Sequence, residues 1–183
     1  MRPLLRFEGV ALRRGGRLLF EDLDLAVGPG EALHIAGPNG SGKSSLIRLA
    51  AGLLRAERGR VDRSPLALAD EHLALDRELP LKRALKFWAT SVDEALNALA
   101  LAHLADVPVR LLSSGQHKRA TLARVATSRV HLWLLDEPLN ALDADGADRL
   151  ADLIGRHRGS GGAVVAASHQ ALPGDWRRLE LKP

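Results

Sequence analysis

One octapeptide constrains this chain more than any other feature. Gly37-Pro38-Asn39-Gly40-Ser41-Gly42-Lys43-Ser44 follows the short apolar run Ala32–Ala36 and precedes Ser44–Leu54, whose apolar spacing is helical. Glycines in such a loop let successive backbone N–H groups turn inward around an anion, and the following helix presents the positive end of its dipole to the same point. Every fixed position of G-x-x-x-x-G-K-[ST] is filled, with a strand before it and a helix after it, which sets this loop apart from a chance glycine-rich turn. The pattern assigns Lys43 to bridging two phosphates and the Ser44 hydroxyl to Mg²⁺.

A phosphate loop of this kind needs a parallel sheet to carry it, and the rest of the chain supplies the alternation. Two apolar-alternating segments, Leu4–Val10 and Leu18–Val27, flank Gly15-Gly16 and read as an antiparallel pair. Further strands are expected at Leu66–Ala69, Val130–Leu135 and Ala163–Ala167. Helices are expected over Leu81–Thr90, Ser91–Leu104, Ser114–Ser128 and Ala144–Arg158, with Ser91 and Glu94 forming a capping box. Strands alternating with helices make an α/β fold. Helices concentrated between about 81 and 128 interrupt it, so this region is expected to be a helical subdomain of a single domain spanning 1–183. At 46% hydrophobic and 26% charged residues, the chain has the balance of an ordinary globular protein rather than a disordered one. It contains no cysteine, which excludes a disulfide framework and a thiolate-held metal.

The apolar run Leu132–Leu135 ends in Asp136-Glu137. Ligands bind beyond the carboxyl ends of strands in open α/β sheets, so both carboxylates face the phosphate loop. Asp136 suits a second contact to Mg²⁺ through water, and Glu137, one residue nearer the terminal phosphate, suits a general base.

Between the two motifs lies Leu112-Ser113-Ser114-Gly115-Gln116, which matches the L-S-G-G-Q signature of ABC ATPases except at Ser114. In order and approximate spacing, the phosphate loop, this pentapeptide, Asp136-Glu137 and His169 resemble an ABC-type ATPase over nearly the whole chain. The resemblance implies a P-loop nucleotide-binding domain with an N-terminal antiparallel β subdomain and a helical signature subdomain. It further implies ATP and Mg²⁺ as cofactors and His169 as the switch histidine that orients the attacking water. Leu139–Asp143 looks like the D-loop. A head-to-tail homodimer is implied, with Ser113, Gly115 and Gln116 of one copy completing the ATP site of the other. Two departures stand out. No Tyr occurs in the chain, and Leu12-Arg13-Arg14-Gly15-Gly16 occupies the place of the usual adenine-stacking aromatic; an arginine there is expected to give weak base selectivity. The usual glutamine between the phosphate loop and the helical region is also absent, and Glu71 in Leu68–His72 is the replacement expected to ligate Mg²⁺.

The wording of the blocks narrows the resemblance. Leu18–Phe20, Leu49–Leu53, Leu122–Arg124, Leu132–Pro138 and Ser168–Gln170 are similar to the ATP-binding subunits of haem exporters in cytochrome c biogenesis. That implies integral membrane permease subunits as partners and a peripheral position on the cytoplasmic face of a bacterial inner membrane. Another ABC exporter is the alternative. A nucleic-acid-associated ABC ATPase is disfavoured, because the stretch between Lys43 and Leu112 carries no sustained heptad repeat. The net charge of +4 reads as solvated arginine-rich faces. His34 and His131 are expected in buried strands, and the remaining histidines show no metal spacing.

Overall fold

The computed structural model describes residues 2–72 and 74–181. Two sheets organise it. β1 (Leu5–Arg14), β2 (Arg17–Val27) and β4 (Arg58–Arg63) form an antiparallel sheet in the order β2-β1-β4. β3 (Ala32–Ala36), β5 (Leu66–Ala69), β6 (Leu132–Asp136), β7 (Ala163–Ala167) and β8 (Arg177–Glu180) form a parallel sheet in the order β5-β6-β7-β3-β8.

Strand β6 shows why its sequence is apolar without alternation. Leu132 and Leu134 face a core shared with β1, β3 and helix α1 (Lys43–Ala51). Trp133 and Leu135 face the opposite core, shared with the helices between residues 81 and 159. A parallel strand covered on both faces has no polar side to show. The same two-sided burial explains Ala163–Ala167, all of whose residues are buried.

The helical region is built of shorter pieces than its periodicity suggests. α2 spans Leu81–Lys86, α3 spans Asp93–Ala98, and 3₁₀ turns cover Ala102–Leu104 and Val109–Leu111. The expected capping box at Ser91 and Glu94 does not form: Val92 is the N-cap of α3, and no side chain caps it. The expected continuous helix over Ser91–Leu104 is broken at Ala100, whose φ of 52° is left-handed. α4 (Ser114–Thr127) and α5 (Ala144–Gly159) are full-length helices, close to expectation.

Two strands escaped the sequence reading. β4 is Arg-Gly-Arg-Val-Asp-Arg, mostly exposed, and β8 is Arg-Arg-Leu-Glu. Both lie at sheet edges, where charged side chains are favoured and no apolar period results. His131 is also corrected: it is exposed and precedes β6, whereas His34 is buried in β3 with Nε2 3.1 Å from the Ser168 carbonyl. Among the described residues no helix is long and apolar enough to cross a membrane.

Candidate active site

The phosphate loop leaves β3 at Gly37 and enters α1 at Lys43. Gly37 has a φ of 146°, and a Cβ there would lie 2.5 Å from the Leu181 carbonyl and 2.7 Å from Ser41 Oγ. Only glycine fits that approach. Gly42, the N-cap of α1, is left-handed and offers no side chain to the helix end, and the first turn contains no acidic residue. The positive end of α1 is therefore left for an anion from outside. Lys43 is buried, and its Nζ donates to the carbonyls of Gly37 at 2.9 Å and Pro38 at 3.0 Å. Ser41 Oγ is buried with no hydrogen-bond partner among the described residues. A buried hydroxyl without a partner in such a loop fits a phosphate oxygen as its complement.

Beyond the C-terminal end of the sheet the two motifs meet. Ser44 Oγ donates to Asp136 Oδ1 at 3.0 Å, joining the first turn of α1 to the end of β6. Burial lifts Asp136 above the ordinary aspartate range. The Ser44 bond opposes that lift, Glu137 adds to it, and Arg48 and Lys118 oppose it. A hydroxyl and a partly desolvated carboxylate in contact form a hard-oxygen pair suited to Mg²⁺.

Glu137 has a left-handed backbone, φ 45°, which is costly for a non-glycine residue and is held here by its N–H donating to the Ala167 carbonyl at 2.8 Å. Its Oε2 lies 3.0 Å from His169 Nδ1. Residues far apart in sequence are thus joined at adjacent strand ends, β6 and β7. A general base oriented by an imidazole within hydrogen-bond reach is an arrangement that can activate water.

The cleft beside the phosphate loop is also bounded by Arg14 and Leu19. The structure separates the two arginines of the missing aromatic position. Arg13 is diverted to Glu57, with Nε 3.5 Å from Oε2, and donates to the Gly16 carbonyl at 3.1 Å. Arg14 instead reaches Ser45 Oγ at 3.4 Å and borders the cleft.

The signature residues lie elsewhere. Ser113 is the N-cap of α4: Gln116 N–H donates to Ser113 Oγ at 3.3 Å, and Ser113 N–H donates to Gln116 Oε1 at 2.8 Å. This reciprocal box fixes the helix end within the chain. A Cβ on Gly115 would lie 2.8 Å from the Ala141 carbonyl, so the signature packs directly on Leu139–Asp143. Ser113, Gly115 and Gln116 do not border the phosphate-loop cleft.

Glu71 lines one cleft together with Ser44 and Asp136. Its carboxylate accepts from Arg48 Nη2 at 3.0 Å, and its side chain is 74% exposed on the wall of that cleft, which has a volume of about 370 Å³. Among the described residues no group of three or more His, Cys, Asp or Glu side chains is gathered in metal-binding geometry. The sequence reading missed Lys118 in that same cleft. Lys118 Nζ donates to the Asp136 carbonyl at 3.2 Å. Burial pushes its ammonium below the ordinary lysine value, while Asp136, Glu137 and Asp70 hold it up. No spacing rule points to this lysine, because its partner is a main-chain atom of a distant strand.

Fold and site together define a nucleotide-binding domain of the ABC type, and the comparisons agree. Residues 20–140 match the ABC transporter family. The fold superposes on the ATP-binding subunit of an ABC transporter with a TM-score of 0.83 at 22% identity, covering 91% of this chain and 79% of that one. It superposes on an ATP-binding cassette in its ADP conformation with a TM-score of 0.76 at 21% identity, covering 93% and 83%. The chain belongs to the ABC transporter ATP-binding family, and within it to the cytochrome c biogenesis ATP-binding export proteins. It is 55% identical over 180 residues to the CcmA protein of that name from Sphingopyxis alaskensis, covering 94% of this chain and 93% of that protein. It is 46% identical over 183 residues to the one from Rhodospirillum rubrum, covering 88% and 78%.

Proposed function

We propose that this chain is the ATP-hydrolysing subunit of an export complex serving cytochrome c biogenesis, and that its turnover powers haem export or release of the haem-loaded chaperone. One observation carries the reading: Glu137, paired with His169, stands at the cleft beside an intact phosphate loop, in a chain that aligns with biogenesis export ATPases over nearly its whole length.

The residues then divide the work. Backbone amides of Gly37, Pro38's neighbours Asn39 and Gly40, and Ser41 and Gly42 cradle the phosphates together with the α1 N-terminus. Lys43 exchanges its bonds to the Gly37 and Pro38 carbonyls for phosphate oxygens. Ser44 and Asp136 would hold Mg²⁺, which neutralises charge developing on the phosphates. Glu137 accepts the proton of the attacking water, and His169 keeps that carboxylate in place. Glu71 is assigned to its ion pair with Arg48, outside the metal pair.

Ser113, Gly115 and Gln116 stand away from their own phosphate loop, which supports a head-to-tail homodimer in which each signature completes the partner's site. Integral membrane permease subunits are the further partners, placing the chain peripherally at the cytoplasmic face of the inner membrane; no nucleic-acid role is assigned.

The test is to isolate the Glu137→Gln variant from native membranes with ATP present and identify its companions by mass spectrometry. Haem-maturation permease subunits are the expected companions. Recovery of an unrelated permease would overturn the haem assignment and leave the ATPase mechanism standing.

A further inference from the structure

Lys118 is a half-buried cation that the catalytic scheme above leaves without a task. It lies in the first half of α4, the helix that begins at the signature, and lines the 370 Å³ cleft together with Ser44, Asp70, Asp136 and Glu137. A lysine can usually carry its ammonium out to water along its four methylenes. This one turns inward, and its hydrogen bond among the described residues goes to the Asp136 carbonyl at the end of β6. Desolvating an ammonium is costly, so the inward geometry is held by what surrounds it.

A second tie runs from the same helix. Arg124 donates to the Leu68 carbonyl in β5, the strand beside β6. Helix α4 therefore grips two adjacent parallel strands, each through one cation and one main-chain carbonyl. The two ties differ in place. The Arg124 tie is one residue short of the end of β5, whereas the Lys118 tie is at the last residue of β6, the strand end that carries both carboxylates.

We infer that Lys118 is a positioning residue with two linked effects: it ties the signature helix to the carboxylate-bearing end of β6, and it places a fixed positive charge against which Mg²⁺ must bind. The inference rests on the reading of Ser44 and Asp136 as the metal-holding pair. Like charges sharing a partly dry cleft repel more strongly than in water, so removing the ammonium tightens the hold on Mg²⁺. Removing the tie frees the Asp136 carbonyl, and with it the adjoining Glu137, so turnover falls. Tighter metal and slower chemistry together are a signature that loss of packing alone does not produce.

The experiment uses the full-length chain and three variants: Lys118→Met, Lys118→Gln and Lys118→Arg. A fluorescent non-hydrolysable ATP analogue is titrated with Mg²⁺, and kcat and KM for ATP are measured separately. In Lys118→Met and Lys118→Gln the Mg²⁺ midpoint is expected to fall about threefold or more. In Lys118→Met, kcat is expected to fall about fivefold at saturating Mg²⁺ with KM for ATP little changed. Lys118→Arg keeps the charge and a donor and restores both. A midpoint in the neutral variants that stays put or rises overturns the inference, as does a wild-type kcat in Lys118→Met. If the unaltered chain shows no Mg²⁺ response at all, the assignment of Ser44 and Asp136 falls first, which separates that failure from one confined to Lys118.

Discussion

At the phosphate end of the molecule, side chains from α1, β6 and the loop after β7 meet within one chain: Ser44 bonds Asp136, and Glu137 lies against His169, each at 3.0 Å. At the signature end, Ser113 and Gln116 use their side chains on each other's backbone, and Gly115 abuts Ala141. The first region gathers its side chains around a cleft, and the second is a capped helix terminus whose Ser113, Gly115 and Gln116 do not border the phosphate-loop cleft. The supporting structures differ in the same sense. The phosphate end hangs on parallel strands buried on both faces, whereas the signature follows two six-residue helices and two 3₁₀ turns. The contrast teaches that strand ends joined by strand order hold the first region, whereas local helix capping holds the second.

The strongest way to break this comparison is at Glu137. Glu137→Gln is expected to slow phosphate release by about 10²-fold or more while nucleotide affinity is retained, the scale for losing a general base. Steady-state phosphate release and analogue binding check it, and normal turnover would remove Glu137 from the chemistry. Lys43→Ala is expected to lose affinity instead, so the pair of variants separates chemistry from binding inside the phosphate end.

At the signature end, Gly115→Val forces a side chain against the Ala141 carbonyl. Hydrolysis is expected to fall about tenfold or more through displaced contacts, with analogue binding to the isolated chain unchanged. Ser113→Ala sharpens the point. Loss of the cap costs about 1 kcal/mol, so the melting temperature falls by roughly 2–4 °C for a chain of this size. A Ser113→Ala variant with undiminished melting temperature would show that the capping box contributes nothing.

Smaller effects test the cleft and the scaffold. Arg14 borders the phosphate-loop cleft, so Arg14→Ala is expected to weaken ATP and GTP binding alike, by about threefold each. A loss confined to ATP would instead make Arg14 a base reader. In the scaffold, His157 stacks on Trp133 with ring centroids 3.7 Å apart, and its Nε2 lies 3.1 Å from the His131 carbonyl. Burial pushes its imidazole below the ordinary histidine value, and its backbone hydrogen bonds oppose that shift. The folded chain therefore takes up this proton less readily than the unfolded chain. The stability involved is complete above the unfolded value of about 6.5 and is lost as pH falls through the lower folded value. Denaturant midpoints near neutral and near about pH 5 should converge in His157→Phe relative to the unaltered chain.

Much of this was legible in the residues themselves. The phosphate loop, Asp136-Glu137, Ser113–Gln116 and His169 each sit where a strand or helix ends, and such ends carry local signals: glycines, caps, and an apolar run stopping at a charge. The N-cap at Ser113 and the helix over Ser114–Thr127 follow directly from that local chemistry. The Ser91–Glu94 box failed although its pattern was correct, because Asp93 begins the helix and the packing of Val92 and Leu96 in the core overrides the cap preference.

Tertiary structure alone decided the rest. It turned Arg14 toward Ser45 and Arg13 toward Glu57, paired Glu71 with Arg48, and sent Lys118 to a carbonyl of β6. It also recruited β4 and β8 at the sheet edges, where charged side chains leave no apolar period to read. The division has a physical cause. Backbone geometry and burial leave a repeating local imprint in the sequence, whereas the partner of a long flexible cation is fixed only when strand order brings distant main-chain groups within its reach.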